Sequence, residues 1–201
     1  MKLREQARAL HKRARILEVT MRLALEGGLG AVTHRKVSEA ADVSLSAIRY
    51  YYRNREDLLL ACIDEAERVR SIEAKLVIDT LDGPVADPSR VAQLLLHAYY
   101  GAEVSDADLA GILRFTVGCS RETSQIAAAL ARIREESINP QLTELLSSCG
   151  WSVLDVALAS AVLDGSILAS TAEGRSGIAD RAVAALAGVL QLARDASASS
   201  A

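Results

Sequence analysis

The residues best equipped for chemistry lie close together, between Thr33 and Arg55. Arg49 carries the planar fork of donors that can pair bidentately with guanine. The hydroxyls of Tyr50 and Tyr51 can reach phosphate oxygens and set register, and Ser46 and Ala47 are small enough to let a helix come close to base edges. Arg53 and Arg55 follow at the start of another helix, where free backbone N–H groups also favour a phosphate. Thr33, Arg35 and Lys36 stand in the same position at the start of an earlier helix. On spacing alone, the alternative is a helical hairpin with core aromatics and solvated arginines. Catalytic sets are not visible. His11, His34 and His97 are scattered, there is no Glu-x-x-His and no glycine-rich phosphate loop, and Asp106 and Asp108 read as helix-start residues. The chain is expected to be neither an enzyme nor a metal or cofactor carrier.

The elements that position these residues are short. A first helix is expected from Ala14 to Glu26, after a basic lead-in over 1–14, and Gly27-Gly28 stops it. Thr33 caps a second helix, His34 to Ala41. Asp42 sits at a turn that needs a residue tolerant of positive φ. Ser44 caps a third helix reaching Tyr51, with Ile48 and Tyr52 turned inward. Val37, Ala40, Val43 and Ile48 set the angle between the two short helices. Two short helices joined by a tight turn form a helix-turn-helix. Asn54 then starts a long fourth helix, about Arg55 to Thr80, that joins two modules.

The charge is uneven. The 201 residues carry a net −3, but residues 1–60 hold twelve Lys and Arg against seven Asp and Glu, and residues 61–201 hold eleven against nineteen. Only the first part suits a polyanion. Half the residues are hydrophobic, 3% are aromatic and three are proline. That composition favours helix over strand, and about nine helices are expected in an all-α chain. No apolar run is long enough to span a bilayer and no signal peptide is visible. Cys62, Cys119 and Cys149 match neither a disulfide framework nor a zinc motif; they read as small core hydrophobes in a reducing cytoplasm.

The order Arg15-Ile16-Leu17, Ala24, Gly27-Gly28-Leu29, Thr33 to Ser44, Ile48 to Tyr52 and Arg55-Glu56-Asp57-Leu58 resembles the DNA-binding domain of the TetR family of regulators. The resemblance implies DNA contacts at Thr33, Lys36, Ser44, Ser46, Ala47, Arg49, Tyr50, Tyr51 and Arg55. Asp42 replaces the common turn glycine, and Arg49 stands where an aromatic is common. The implied domains are a helix-turn-helix unit over 1–56, a larger helical effector-binding and dimerisation body over 57–195, and a disordered tail over 196–201. The implied function is a homodimeric repressor on a palindromic DNA operator, released by a small-molecule effector. The alternatives are control by a protein partner, or no effector.

The body carries no specific motif. Leu154, Leu158, Ala161, Gly165 and Leu168 recur at helical spacing, as do Val183, Leu186 and Leu190. Both stripes suit a dimer seam or the protomer's own core. His97, Tyr100, Arg114, Phe115, Cys119 and Trp151 are the distinctive side chains for an effector pocket.

Overall fold

Alanine and leucine dominate the chain, and both lose little freedom in a helix. The computed structural model describes residues 2–199, with side chains from residue 6 onward, and among these it is all helical. The helices are α1 (Lys2–Gly27), α2 (His34–Ala41), α3 (Leu45–Tyr51), α4 (Arg55–Asp79), α5 (Pro88–Tyr100), α6 (Asp106–Cys119), α7 (Ser124–Ile133), α8 (Asn139–Ser148), α9 (Val156–Ala172) and α10 (Ile178–Ser199). α7 passes into α8 through a π-helical turn, Arg134–Ile138. Pro140 supplies the cause: it has no N–H, and its ring would meet the carbonyl of Glu136 in a regular helix. Widening by one residue relieves both problems without breaking the rod.

Two boundaries differ from the sequence reading. α1 starts at Lys2 rather than near Ala14, so the basic lead-in is helix. α10 continues to Ser199, so 196–199 are not a disordered tail; residues 200 and 201 lie outside the described residues. Ser197 and Ser199 bond back to the carbonyls of Ala193 and Asp195, which keeps their hydroxyls within the helix.

The chain packs as two units, Met1–Glu67 with Arg114–Leu130, and Arg68–Leu113 with Ala131–Ala201. The second half of α6 and most of α7 thus group with the first 67 residues, a division that a linear boundary at residue 56 does not follow. In the first unit α1 lies against α2, and α2 against α3. Ile16, Ala24, Val32, Val37, Ile48, Leu58 and Leu59 are fully buried there.

The second unit is built on α5, α8, α9 and α10, with α10 against both α5 and α9. Its core includes Leu95, Leu109, Leu145, Leu163, Ile167, Leu186 and Leu190. The end of α10 nearest its start is capped from elsewhere: the carboxylate of Asp106 accepts from the N–H groups of Gly177 and Ile178 at 2.7 and 2.9 Å. At α9 the cap is Asp155, accepting from the N–H groups of Ala157 and Leu158.

The two stripes expected to form a dimer seam divide. Leu154, Leu186 and Leu190 are buried in the protomer's own core, and Val183 packs half-buried against it. These four therefore satisfy their apolar surface within one chain. Leu158 and Leu168 are 49% and 53% exposed, and Ala161 and Gly165 between them also face out. The physical reason is angular: α9 is apolar nearly all round, so spacing alone does not tell which side meets α10.

Candidate nucleic-acid interface

α2 and α3 are held by their own caps. Thr33 Oγ1 accepts from the Lys36 N–H at 3.2 Å, and Ser44 Oγ accepts from the Ala47 N–H at 3.2 Å. Between them Asp42 adopts φ 54° and ψ 48°, the left-handed conformation that lets the chain reverse within one residue. Val37 and Ile48 are fully buried, and Ala40 and Val43 half-buried, where the two helices meet. Tyr52 is 3% exposed. Its backbone carbonyl lies 3.1 Å from His34 Nε2, a side-chain link between the first residue of α2 and the end of α3.

Burying Ile48 and Tyr52 leaves the rest of α3 to solvent. Ser44, Ser46 and Arg49 are exposed, Tyr50 is 83% exposed, and Ala47 and Tyr51 are partly so. The Tyr50 and Tyr51 rings meet edge-on with centroids 5.3 Å apart, which steadies both hydroxyls on the outer face. Thr33 and Lys36 are exposed at the start of α2. The fold thus brings one arginine, two tyrosines and two small hydroxyl residues onto a single open helix face. A side chain there can enter a groove without displacing core.

Arg55 is turned elsewhere. Its Nη1 and Nη2 donate to the two carboxylate oxygens of Glu122 at 2.9 and 3.0 Å, its Nε donates to the Val32 carbonyl at 3.0 Å, and Nη2 also donates to the Leu29 carbonyl at 2.9 Å. Arg55 holds the Glu122 carboxyl below its usual range. The guanidinium is committed within the protein, where the sequence had grouped it with DNA-facing residues. The partner was invisible in sequence because it lies 67 positions away.

The residues expected to line an effector pocket fall in both packing units. Arg114, Phe115 and Cys119 belong to the first; His97, Tyr100 and Trp151 to the second. Arg114 donates to the Leu25 carbonyl at 3.0 Å, while Phe115 and Cys119 are buried. Burial pushes the Cys119 thiol up to about 12. Trp151 closes the core of the second unit: its indole N–H donates to the Val85 carbonyl at 2.7 Å and its ring lies beneath the Arg194 guanidinium. Burial, then Arg90, lowers the pKa of half-buried His97.

Tyr100 belongs to a different set. Both it and Tyr99 donate to the Asp164 carboxylate, Tyr99 at 3.1 Å, and Arg134 reaches the same carboxylate at 3.3 Å as well as the Tyr99 hydroxyl. Burial raises both phenols well above the ordinary tyrosine range. Arg134 is the first residue of the π-helical turn, a distortion that gathers at functional sites. The sequence carried one signal for this cluster, a lone aspartate inside the apolar α9.

A sequence model of bacterial regulatory proteins of the tetR family matches residues 16–62, from the buried second half of α1 through the helix-turn-helix into α4. Over these residues the chain is similar to that family. Comparison with curated proteins finds no match. Solved structures share the fold well beyond the matched segment. The fatty acid degradation regulator FadR from Bacillus halodurans is 17% identical, with 89% of this chain and 94% of that one covered and a TM-score of 0.67. FadR from Bacillus subtilis, in complex with stearoyl-CoA, is 17% identical over 88% and 96%, at 0.64. The multidrug binding protein EbrR, in complex with malachite green, is 20% identical over 90% and 96%, at 0.62.

Proposed function

We propose that the chain is a transcriptional repressor that binds a palindromic DNA operator as a homodimer and is released by a small molecule bound to its helical body. The observation that carries this reading is the outer face of α3, where Ser44, Ser46, Ala47, Arg49, Tyr50 and Tyr51 stand open on a rigid helix within the matched segment. Arg49 reads a guanine in the major groove, and the tyrosine hydroxyls, Thr33 and Lys36 fix register on phosphates.

The exposed row Leu158, Ala161, Gly165 and Leu168 supports dimerisation, because small residues flanked by leucines let two helices cross closely. A two-fold axis then presents two α3 helices to two half-sites. Fold relatives were captured with stearoyl-CoA and malachite green, which supports a small-molecule site in the body. The cluster of Tyr99, Tyr100, Arg134 and Asp164 offers the polar groups for it. The effector acts by binding more tightly to the conformation whose two recognition helices are wrongly spaced. The chain works by binding, in the cytoplasm; no described helix is long and apolar enough to cross a membrane.

Fluorescence-anisotropy titration against the DNA upstream of its own gene, with a scrambled duplex as control, tests the reading. Selective binding abolished by Arg49→Ala with Tyr50→Ala supports it. Equal binding to both duplexes, unchanged in that double variant, overturns it.

A further inference from the structure

The charge of the DNA-binding half is not where the helix-turn-helix is. Residues 16–62, the matched segment, hold six Lys and Arg (Arg22, Arg35, Lys36, Arg49, Arg53, Arg55) against six Asp and Glu (Glu18, Glu26, Glu39, Asp42, Glu56, Asp57), a net of zero. Residues 1–15 hold six (Lys2, Arg4, Arg8, Lys12, Arg13, Arg15) against Glu5 alone, a net of +5. The whole basic excess of the first 60 residues therefore lies before the matched segment. Two of the arginines within that segment are also engaged, Arg35 with Glu39 and Arg55 with Glu122.

Residues 2–15 are not a loose arm. They are the opening turns of α1, continuous with the stretch from Ile16 that is buried in the first unit. At ~1.5 Å per residue they reach roughly 20 Å. Arg8, Lys12 and Arg15 stand at i, i+4 and i+7, so they form one row, and all three are exposed. Among the described residues Arg8 and Lys12 have no acidic partner, and Arg15 has only the exposed Glu18, 3.1 Å away. Such a row works against its own helix. Like charges at i, i+4 repel, and cations in the opening turns oppose the helix dipole. A polyanion laid along the row would relieve both penalties.

We propose that the opening turns of α1 form a second DNA contact, in which Arg8, Lys12 and Arg15 neutralise backbone phosphates flanking the bases read by α3. The inference rests on the DNA-binding reading above and adds a site to it. The contact is with phosphates, so it contributes affinity and salt dependence on any sequence and no base preference. An anionic bilayer is the other polyanionic surface, but helical spacing sets only Leu3, Ala7, Leu10 and Ala14 opposite the row, too little apolar area to hold a helix in a membrane interface.

The test compares the full chain with its Arg8→Gln/Lys12→Gln/Arg15→Gln variant by anisotropy over a salt series, on the selected duplex and on a scrambled one. Each lost phosphate contact removes about 0.9 from the slope of log K against log salt. The expected variant has a slope shallower by about 2 to 3 on both duplexes, an unchanged ratio of affinities between them, and a melting temperature equal to or above the parent's. Equal slopes for the two proteins overturn the proposal. So does an unchanged DNA slope with lost binding to phosphatidylcholine vesicles containing phosphatidylserine, which assigns the row to membranes. Because the scrambled duplex reads the phosphate contact by itself, a protein that selects no operator but shows the slope change would refute the repressor reading and keep this one.

Discussion

Arg55 and Glu122 lie 67 residues apart and meet through a two-pronged ion pair, with N–O distances of 2.9 and 3.0 Å, that ties the first turn of α4 to the segment between α6 and α7. The same guanidinium caps the carbonyls of Leu29 and Val32, just ahead of α2. One side chain thus fastens three segments of the first unit. Glu122→Gln should lower stability by about 1–2 kcal/mol, the range for a partly exposed charge-assisted pair. The pair has a pH signature. Glu122 titrates below its usual value because it is bonded to Arg55, so its contribution is present at neutral pH and lost as pH falls below the ordinary carboxylate range. The melting-temperature gap between the parent and Glu122→Gln should therefore narrow as the pH is lowered below the ordinary carboxylate range; a gap constant across that titration would disprove the assignment.

Arg49→Ala should leave the melting temperature unchanged, because Arg49 is exposed on the outer face of α3. It should weaken selected DNA by about 1–3 kcal/mol and relax the preference at one base pair. Binding-site selection with the variant checks this; an unaltered preferred sequence removes Arg49 from the reading role. Tyr50→Phe, which removes a phosphate contact alone, should lower affinity evenly across sequences.

Asp42 holds φ at 54°. A β-branched residue there pays for a left-handed backbone, so Asp42→Val should destabilise the protein by about 1–2 kcal/mol. Asp42→Gly should be neutral or slightly stabilising, since glycine reaches this conformation freely. Chemical denaturation of the two variants separates a backbone requirement from a side-chain one: if both are equally destabilised, the aspartate carboxylate matters and the φ argument fails.

Gly165 faces solvent on α9, and a Cβ built on it meets no atom within 4 Å. Gly165→Gln should therefore keep or improve the fold of the protomer, since glycine weakens a helix interior by about 1 kcal/mol. In a dimer closed across this row the longer side chain prevents close approach. Sedimentation equilibrium should show a folded monomer. A variant that stays dimeric moves the interface off α9.

Burial pushes the Cys62 and Cys119 thiols up to about 12. Neither should react with a thiol reagent at pH 8 until the protein unfolds, because the thiolate is the nucleophile. Rapid native labelling followed by tryptic mapping to either residue would contradict their role as core hydrophobes.

The local grammar of the DNA-binding half was legible without coordinates. Thr33, Ser44 and Asn54 cap the helices they precede, and Asp42 has the positive φ expected at its turn. Each of these depends on atoms within about four residues, so the sequence determines it alone. The inward turn of Ile48 and Tyr52, and with it the open face of Arg49 and Tyr50, follows from the same short-range periodicity. Partners far along the chain were decided only by the tertiary structure. Spacing offered Arg55 to a phosphate, and packing gave it to Glu122. Spacing offered Leu186 and Leu190 to a dimer seam, and α5 and α9 took them into the protomer's core. Asp164 lies alone in an apolar helix along the sequence, and only packing brings Tyr99, Tyr100 and Arg134 onto it. A nearly all-apolar helix has no angular preference of its own, and a charged side chain does not encode which distant partner will meet it; both are settled by how the helices pack.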